Sequence, residues 1–314
     1  MGIYCVAGHN FQVESSNEQL LAHMVNYEPF TVGLAPNTEP IFVLNVEQNG
    51  LLDEEQRSAY QHVFTDNSED DMPRIEVYRS SEGAWLIRVS QIASSPICCE
   101  LVCSGDFTRG TLHIDGDCRD VRFCIDNGLM LMYAFRTAPL MTLEMHAAVV
   151  VKREAMGNGL SAIGEEIGNE AKGYLFLGHS GTGKSTHARQ WLAAFEDAWL
   201  LNDDNPILRV MSDGDVRVYG SPWSGKTPCY KNASAPVGGI VKLSQAPHNE
   251  IHTISLPHAY AYMLSSASGL KIDAKMSDCL FESIKHVITH VPFYHLECLP
   301  NADAARVCLQ GLKK

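Results

Sequence analysis

The stretch from Tyr174 to Leu192 reads YLFLGHSGTGKSTHARQWL and carries the clearest structural signal in this 314-residue chain. It opens with a short apolar run that predicts a buried strand. The loop that follows, from Gly178 to Ser185, matches the pattern G-x-x-x-x-G-K-[ST] without a mismatch. Beyond the loop, apolar residues recur at the spacing of one helix face. A strand, a glycine-rich loop and a helix in this order predict a phosphate-binding loop.

The residue types of this loop suit the phosphates of a nucleotide. Glycines let successive backbone N–H groups turn toward phosphate oxygens, and the helix N-terminus adds its partial positive charge. Lys184 would reach the β- and γ-phosphates, and the Ser185 hydroxyl would ligate Mg²⁺. We therefore predict that the chain binds a nucleotide. The residues predicted to bind it are Gly178, His179, Ser180, Gly181, Thr182, Gly183, Lys184, Ser185 and Thr186.

The overall charge argues against two classes of partner. The formal net charge is -13, and the sequence has no long run of Lys and Arg. Nucleic acids and anionic membranes attract basic surfaces, so we expect neither as a partner. No apolar run approaches the length of a membrane span, and the N-terminus lacks the features of a secretory signal. We therefore expect a cytoplasmic protein.

Ten cysteines are scattered along the chain. The closest group is Cys98, Cys99 and Cys103, which have no His or Cys partner at the spacing typical of a zinc site. We interpret the cysteines as buried, reduced thiols.

The two halves of the chain differ in pattern. Before about residue 120, short apolar or alternating runs separated by turn residues predict an antiparallel sheet, as in a small barrel or sandwich. Asp126 could cap a helix that continues to Phe135. The later half alternates strands and helices. We expect an α+β or α/β protein with a β-rich domain of unknown role at 1–125 and a phosphate-loop domain at 126–314.

Two acidic residues follow the next buried strand after the loop, and acids at this point of a phosphate-loop enzyme lie beside the γ-phosphate. One of them would hold Mg²⁺, a role we assign to Asp203 together with Ser185. The other would take the proton from an attacking hydroxyl, so both Asp203 and Asp204 are candidate catalytic residues. The alternative is a pair of solvated turn acids.

The loop GSPWSGKTPCYKN, which begins at Gly220, has two interpretations. It could form a wall of the substrate pocket, with Lys226 meeting phosphate charge during transfer. It could instead be a tight connection between strands whose Trp223 fills the core.

Four segments together resemble the HPr kinase/phosphorylase family and, more distantly, the ATP-dependent phosphoenolpyruvate carboxykinases. They are MHAAVVV, FLGHSGTGKST, LLNDDNP and GGIVKL, and they span roughly residues 140 to 300. The resemblance implies an HPr-kinase-like domain that uses ATP, with His146 at the site and the Asp203–Asp204 region supplying the base and the metal contact. The chain differs from that family at Thr186, where a Glu is usual, and in the loop at Gly220, which replaces an Arg-Gly-rich signature.

The resemblance implies an ATP-dependent kinase that uses Mg²⁺ and transfers the γ-phosphoryl group to a hydroxyl on a protein serine or a small metabolite. Two alternatives stay open: a non-catalytic nucleotide sensor and a carboxykinase-like enzyme. The apolar C-terminal helices would also permit a homo-oligomer.

Overall fold

A computed structural model describes residues 1–33, 39–66, 72–153, 171–225 and 227–313. The chain divides into two compact units, Met1–Arg136 and Thr137–Lys314. Both contain large β-sheets and helices, so the protein is of mixed α/β class, consistent with the expected α+β fold. None of the helices in the described ranges is long and apolar enough to cross a membrane.

The first unit contains eight strands, three α-helices and a 3-10 helix at Val25–Phe30. In chain order they are β1 (Gly2–Val6), β2 (His9–Glu14), α1 (Glu18–Leu21), β3 (Val43–Glu47), α2 (Glu54–Ser58), β4 (Tyr60–Asp66), β5 (Ile75–Ser80), β6 (Trp85–Ser90), β7 (Ile97–Cys103), β8 (Arg109–Ile114) and α3 (Val121–Thr137).

The strands of this unit form one sheet in the order β1-β2-β3-β8-β7-β6-β5-β4. Strand β3 runs parallel to both β2 and β8, and the other pairs are antiparallel. Because the described strands make a single sheet with two ends, the expectation of a barrel or sandwich was wrong. Alternating residues could not distinguish these cases, since a strand has the same side-chain period in each.

Helix α3 covers one face of this sheet. A Cβ atom on Gly128 would lie 3.0 Å from the Leu112 side chain, so the missing side chain permits close packing. The helix begins before Asp126, and the Asp120 carboxylate accepts the Phe123 N–H at its start. Asp126 instead accepts a hydrogen bond from the hydroxyl of Tyr27. The prediction that Asp126 caps the helix was therefore wrong. Asp120 and Asp126 both precede apolar residues of this helix, and it is Asp120 that accepts an N–H group at its start.

The second unit begins with a 3-10 helix at Ala138–Leu140. Its other elements are β9 (Thr142–Glu144), β10 (Ala147–Arg153), β11 (Ala171–Leu177), α4 (Lys184–Ala194), β12 (Ala198–Asn202), β13 (Ile207–Val210), β14 (Val216–Tyr219), β15 (Ser234–Gln245), β16 (Glu250–Thr253), α5 (Leu256–Ser266), α6 (Ala274–His290), β17 (Phe293–Cys298) and α7 (Ala302–Leu312).

The strand order of the second unit brings several strand ends together. The main path is β12-β10-β11-β15-β14-β13-β9, and β17 extends it by pairing in parallel with β15. Strand β10 is antiparallel to both β11 and β12. The C-terminal ends of β11 and β12 therefore meet the N-terminal end of β10 at one edge of the sheet.

Helices α4 and α7 pack together on one face of this sheet. Their apolar residues join those of β10, β11, β15 and β17 in one buried cluster around the fully buried Trp191. Asn301 caps α7, as its position predicts, because its side chain accepts the Ala304 N–H at 3.0 Å. This packing fixes α4, and with it the loop at its N-terminus.

Candidate active site

The glycine-rich loop joins β11 to α4, as the sequence predicts. Gly181 and Gly183 have φ values of 75° and 109°, in the region that residues with a side chain rarely adopt. A Cβ atom on Gly178 would lie 2.9 Å from the methyl group of Thr182. The loop path therefore needs glycine at all three positions. Ser185 lies exposed in the first turn of α4, where its hydroxyl can reach a ligand.

The Lys184 side chain is turned into this loop. Its ammonium group donates to the carbonyl oxygen of Gly178 at 2.9 Å and to Nε2 of His146 at 3.0 Å. Only 7% of the residue is exposed. The loop carbonyl and the imidazole thus hold the cation beside the backbone amides that are predicted to bind phosphate.

His146 connects the loop to the acidic pair. It immediately precedes β10, and its backbone N–H donates to the Ser266 carbonyl at 2.7 Å. Its Nε2 atom lies 3.3 Å from Oδ1 of Asp204. The Ala147 N–H also donates to the Asp204 carbonyl at 2.8 Å, which fixes that backbone. Lys184, His146 and Asp204 therefore form a continuous row of polar contacts.

Asp203 has a different environment from Asp204. Its two carboxylate oxygens accept the backbone N–H groups of Gly225 and Thr227, each at 2.9 Å. Only 4% of Asp203 is exposed, whereas the Asp204 side chain is 35% exposed. Asp203 thus anchors the loop at 225–227, and Asp204 is the acid more open to a substrate. Lys226 lies outside the described residues.

The loop at 221–225 is held by Asn202, the last residue of β12. The Asn202 amide donates to the Trp223 carbonyl at 2.9 Å, and its oxygen accepts the backbone N–H of Asp204 at 2.8 Å. Trp223 is 2% exposed. The interpretation that this tryptophan fills the core is therefore confirmed, while the same loop packs against the acidic pair.

Glu144 is a residue of this region that the sequence interpretation missed. It ends β9 and is buried, and neither carboxyl oxygen has a hydrogen-bond partner within the described part of the chain. Burial, together with the negative charge of Asp204, raises the pKa of Glu144 well above its usual range. Burial therefore favours the protonated, neutral form of this acid. Its signal in the sequence is a lone acid inside an apolar strand, close before His146.

A small cleft opens beside His146. Its volume is about 40 Å³, and it is lined by Gly178, Lys242, Tyr262 and Ser266 among others. Burial lowers the pKa of Lys242, whose ammonium group lies 5.6 Å from the centre of the Tyr262 ring. The sequence interpretation also missed Lys242, although a single Lys in the apolar run GGIVKL is a detectable signal.

A larger groove lies along the loop and the start of α4. Its volume is about 510 Å³, and its lining combines the loop residues Gly181 to Gly183 with apolar side chains such as Leu243 and Leu299. The Gln245 side chain borders it and donates to the Gly181 carbonyl at 3.3 Å. A mostly apolar groove with a few polar groups next to a phosphate loop has the size and chemistry to take a nucleoside.

The donors of the region fit a Mg²⁺ ion. Mg²⁺ prefers oxygen ligands and keeps several waters, and carboxylates and hydroxyls are its usual protein ligands. Ser185 supplies a hydroxyl at the loop. Asp204 supplies a carboxylate at the end of the row that it forms with Lys184 and His146.

Comparison with protein-family models and with curated proteins finds no match for this chain.

Proposed function

We propose that this protein is an ATP-dependent kinase, similar to HPr kinases, that transfers the γ-phosphoryl group of ATP to a hydroxyl. The observation that carries the proposal is the row formed by Lys184, His146 and Asp204 at the end of the phosphate loop. A glycine loop alone only binds phosphate. A loop with an imidazole and a partly exposed carboxylate beside it also has groups that can accept a proton.

In this account Lys184 moves from its loop carbonyl to the phosphates when the nucleotide binds. Its ammonium group and the loop amides then stabilise the charge that develops on the phosphoryl oxygens. His146 loses a hydrogen-bond donor at Nε2. That nitrogen is then free to carry a proton and donate a hydrogen bond to the Asp204 carboxylate, from which it is 3.3 Å distant.

Asp204 is the proposed general base. It accepts the proton of the attacking hydroxyl while the new oxygen–phosphorus bond forms and the bond to the ADP oxygen breaks. A carboxylate suits this role because the base has to bind the hydroxyl proton only while the new oxygen–phosphorus bond forms. The 35% exposure of its side chain leaves room for an acceptor to approach.

Asp203 positions the wall of the acceptor site through its contacts with the amides at 225 and 227. Each Asp203 oxygen accepts one of these N–H groups with one of its two lone pairs. The second lone pair could bind a metal ion, so we keep Asp203, together with Ser185, as a proposed ligand of Mg²⁺. When bound, Mg²⁺ would neutralise phosphate charge. The base and ribose of ATP would occupy the groove lined by Leu243 and Leu299.

The test is phosphoryl transfer from γ-labelled Mg-ATP in a desalted bacterial extract supplemented with pooled metabolites. Protein and small-molecule fractions are separated and counted, with the wild-type chain, Lys184→Ala and the exposed acid variant Asp215→Asn in parallel. We expect label in one fraction with wild type and Asp215→Asn, and a loss of at least about 100-fold with Lys184→Ala.

The fraction that carries the label identifies the acceptor class. Label in protein indicates a serine kinase, and label in small molecules indicates a metabolite kinase. Nucleotide binding without transfer to either fraction would contradict the kinase and favour a nucleotide sensor. Manganese-dependent decarboxylation of oxaloacetate would favour the carboxykinase-like alternative.

A further inference from the structure

Four cysteine thiols converge in the first unit. The sulfur atoms of Cys98, Cys99 and Cys124 lie within 4.8 Å of one another. The sulfur of Cys118 lies 3.6 Å from that of Cys124. All four are free cysteines. The sequence shows no partner for Cys98 and Cys99 at the usual zinc spacing, because their neighbours in the structure come from later elements of the chain.

A bulge explains why two adjacent residues of one strand can share a site. In the pairing of β7 with β6, Cys99 is opposite Val89 and Ile97 is opposite Ser90, so Cys98 has no partner residue. Side chains of successive residues in a regular strand point to opposite faces. A bulge re-aims the side chain of the extra residue, and here it brings the Cys98 sulfur to that of Cys99.

The other two thiols come from the turn after β8 and from the start of α3. The Cys118 N–H donates to the Asp115 carbonyl at 3.0 Å and closes the turn. Cys124 lies in the first turns of α3, whose start is fixed by the Asp120 carboxylate. The cluster therefore joins β7, the turn after β8 and α3, which are held by separate local contacts.

The sulfur atoms of Cys98, Cys99 and Cys124 are close enough together to hold one metal ion, and the Cys118 sulfur, which lies outside that group, would move toward them to become the fourth ligand. A zinc–sulfur bond is about 2.3 Å, so the edge of a tetrahedron of thiolates is about 3.8 Å. The 3.6 Å between the sulfur atoms of Cys118 and Cys124 is slightly below this value. The 4.8 Å limit on the distances among Cys98, Cys99 and Cys124 is above it. Thiolate sets of this kind select soft or borderline ions, among them Zn²⁺.

We propose that Cys98, Cys99, Cys118 and Cys124 form a structural Zn²⁺ site in the first unit. Four sulfur–zinc bonds replace bonds from zinc to water, the thiol protons pass to solvent, and no group is oxidised or reduced. Four protein ligands close the coordination sphere, which is the arrangement of a structural rather than a catalytic zinc. Cys99 and Cys124 are fully buried, while the partial exposure of Cys98 and Cys118 provides the entry path.

The test measures zinc in the full chain purified with a thiol reductant and without chelator. We expect one Zn²⁺ per chain by elemental mass spectrometry. Co²⁺ added after removal of zinc should give a sulfur-to-cobalt charge-transfer band. Cys118→Ala is the principal variant, because its half-buried turn position limits damage to the core. Cys103→Ala is the matched control, since Cys103 is a buried thiol of the same strand outside the cluster.

Cys118→Ala should weaken Zn²⁺ binding by more than the roughly 10- to 100-fold that loss of an outer-shell partner costs. Chelator should lower the unfolding midpoint of the wild type and of Cys103→Ala, but change that of Cys118→Ala little. Equal zinc binding by Cys118→Ala and Cys103→Ala would overturn the proposal. So would a zinc-free wild-type protein, including one in which peptide mapping finds Cys118 and Cys124 joined as a disulfide.

Discussion

Nε2 of His146 lies 3.0 Å from Nζ of Lys184 and 3.3 Å from Oδ1 of Asp204, so one nitrogen faces both a cation and an anion. An ammonium group can only donate, so Nε2 must be unprotonated to accept from Lys184. The same nitrogen must be protonated to donate to Asp204. Because Nε2 cannot be protonated and unprotonated at once, the row has two alternative hydrogen-bond arrangements. The nucleotide would shift it from one state to the other by drawing Lys184 away.

The first prediction concerns coupling within this row. His146→Ala and Asp204→Asn should each lower phosphoryl transfer, with the larger loss for Asp204→Asn, about 100-fold or more. The double variant should lose little beyond Asp204→Asn alone, because residues that act as a unit have non-additive effects. A double-mutant cycle on kcat measures this coupling. If the fold-loss in kcat of the double variant equals the product of the two single fold-losses, His146 acts independently of Asp204.

The second prediction separates the two neighbouring acids. Asn at position 203 offers one acceptor oxygen in place of two, so one of the amides at 225 and 227 loses its partner. Asp203→Asn should therefore cost about 1–3 kcal/mol of unfolding free energy and raise KM for the acceptor. Asp204→Asn should lower kcat with little change in stability. Denaturant unfolding and steady-state kinetics check both variants, and equal stability losses would contradict the assigned roles.

Local pattern was sufficient to predict the elements around the phosphate loop. The apolar run before Gly178, the helix spacing after it and the acids after the next strand all appear where the sequence indicates. These signals lie within short windows and follow the periods of strand and helix. The cap assigned to Asp126 was wrong because Asp120 competes for the same helix start.

Sequence reasoning could not find contacts that depend on pairing between distant strands. Glu144 is a site residue only because β9 lies in the same sheet as the strands of the loop. The thiols of Cys98 and Cys99 lie close to that of Cys124 because the start of α3 contacts β7 and because a bulge redirects one side chain. Zinc motifs are read from ligand spacing, and this spacing does not match the usual pattern.

The third prediction concerns Glu144. Its pKa in the folded chain is raised above its unfolded value, so its contribution to stability is present at low pH and is lost as pH rises toward the folded pKa. Because glutamine does not titrate, Glu144→Gln removes this pH-dependent loss of stability. The variant should gain stability relative to wild type by up to about 1.4 kcal/mol for each pH unit above the unfolded pKa.

Denaturant unfolding of wild type and Glu144→Gln across neutral and mildly acidic pH measures this difference. A constant difference in unfolding free energy would mean that Glu144 titrates alike in both states. The same two proteins, assayed for transfer, report whether the acid also serves the chemistry.

The fourth prediction concerns His187, a buried residue of α4 whose Nε2 accepts the Trp191 indole N–H at 3.0 Å. Burial lowers the pKa of His187 to about 4. Its contribution to stability is therefore present above the unfolded pKa of about 6.5 and decreases as pH falls toward the folded value. The wild type should lose about 2 kcal/mol of unfolding free energy from this group between pH 7 and pH 5.

His187→Gln is the control, because a glutamine oxygen can accept from Trp191 and does not titrate. Its unfolding free energy should fall by about 2 kcal/mol less than that of wild type over the same interval. Parallel pH profiles for the two proteins would show that His187 is not held neutral by the core.

The most direct test of the kinase is to measure ATP binding and phosphoryl transfer on the same preparation of Asp204→Asn, beside wild type. The account predicts that the dissociation constant for Mg-ATP stays within about threefold, while transfer falls at least about 100-fold. That result would separate the phosphate loop, which binds, from the acid that accepts the proton. Transfer by Asp204→Asn at the wild-type rate would contradict the account, as would tight Mg-ATP binding by wild type without transfer to any acceptor.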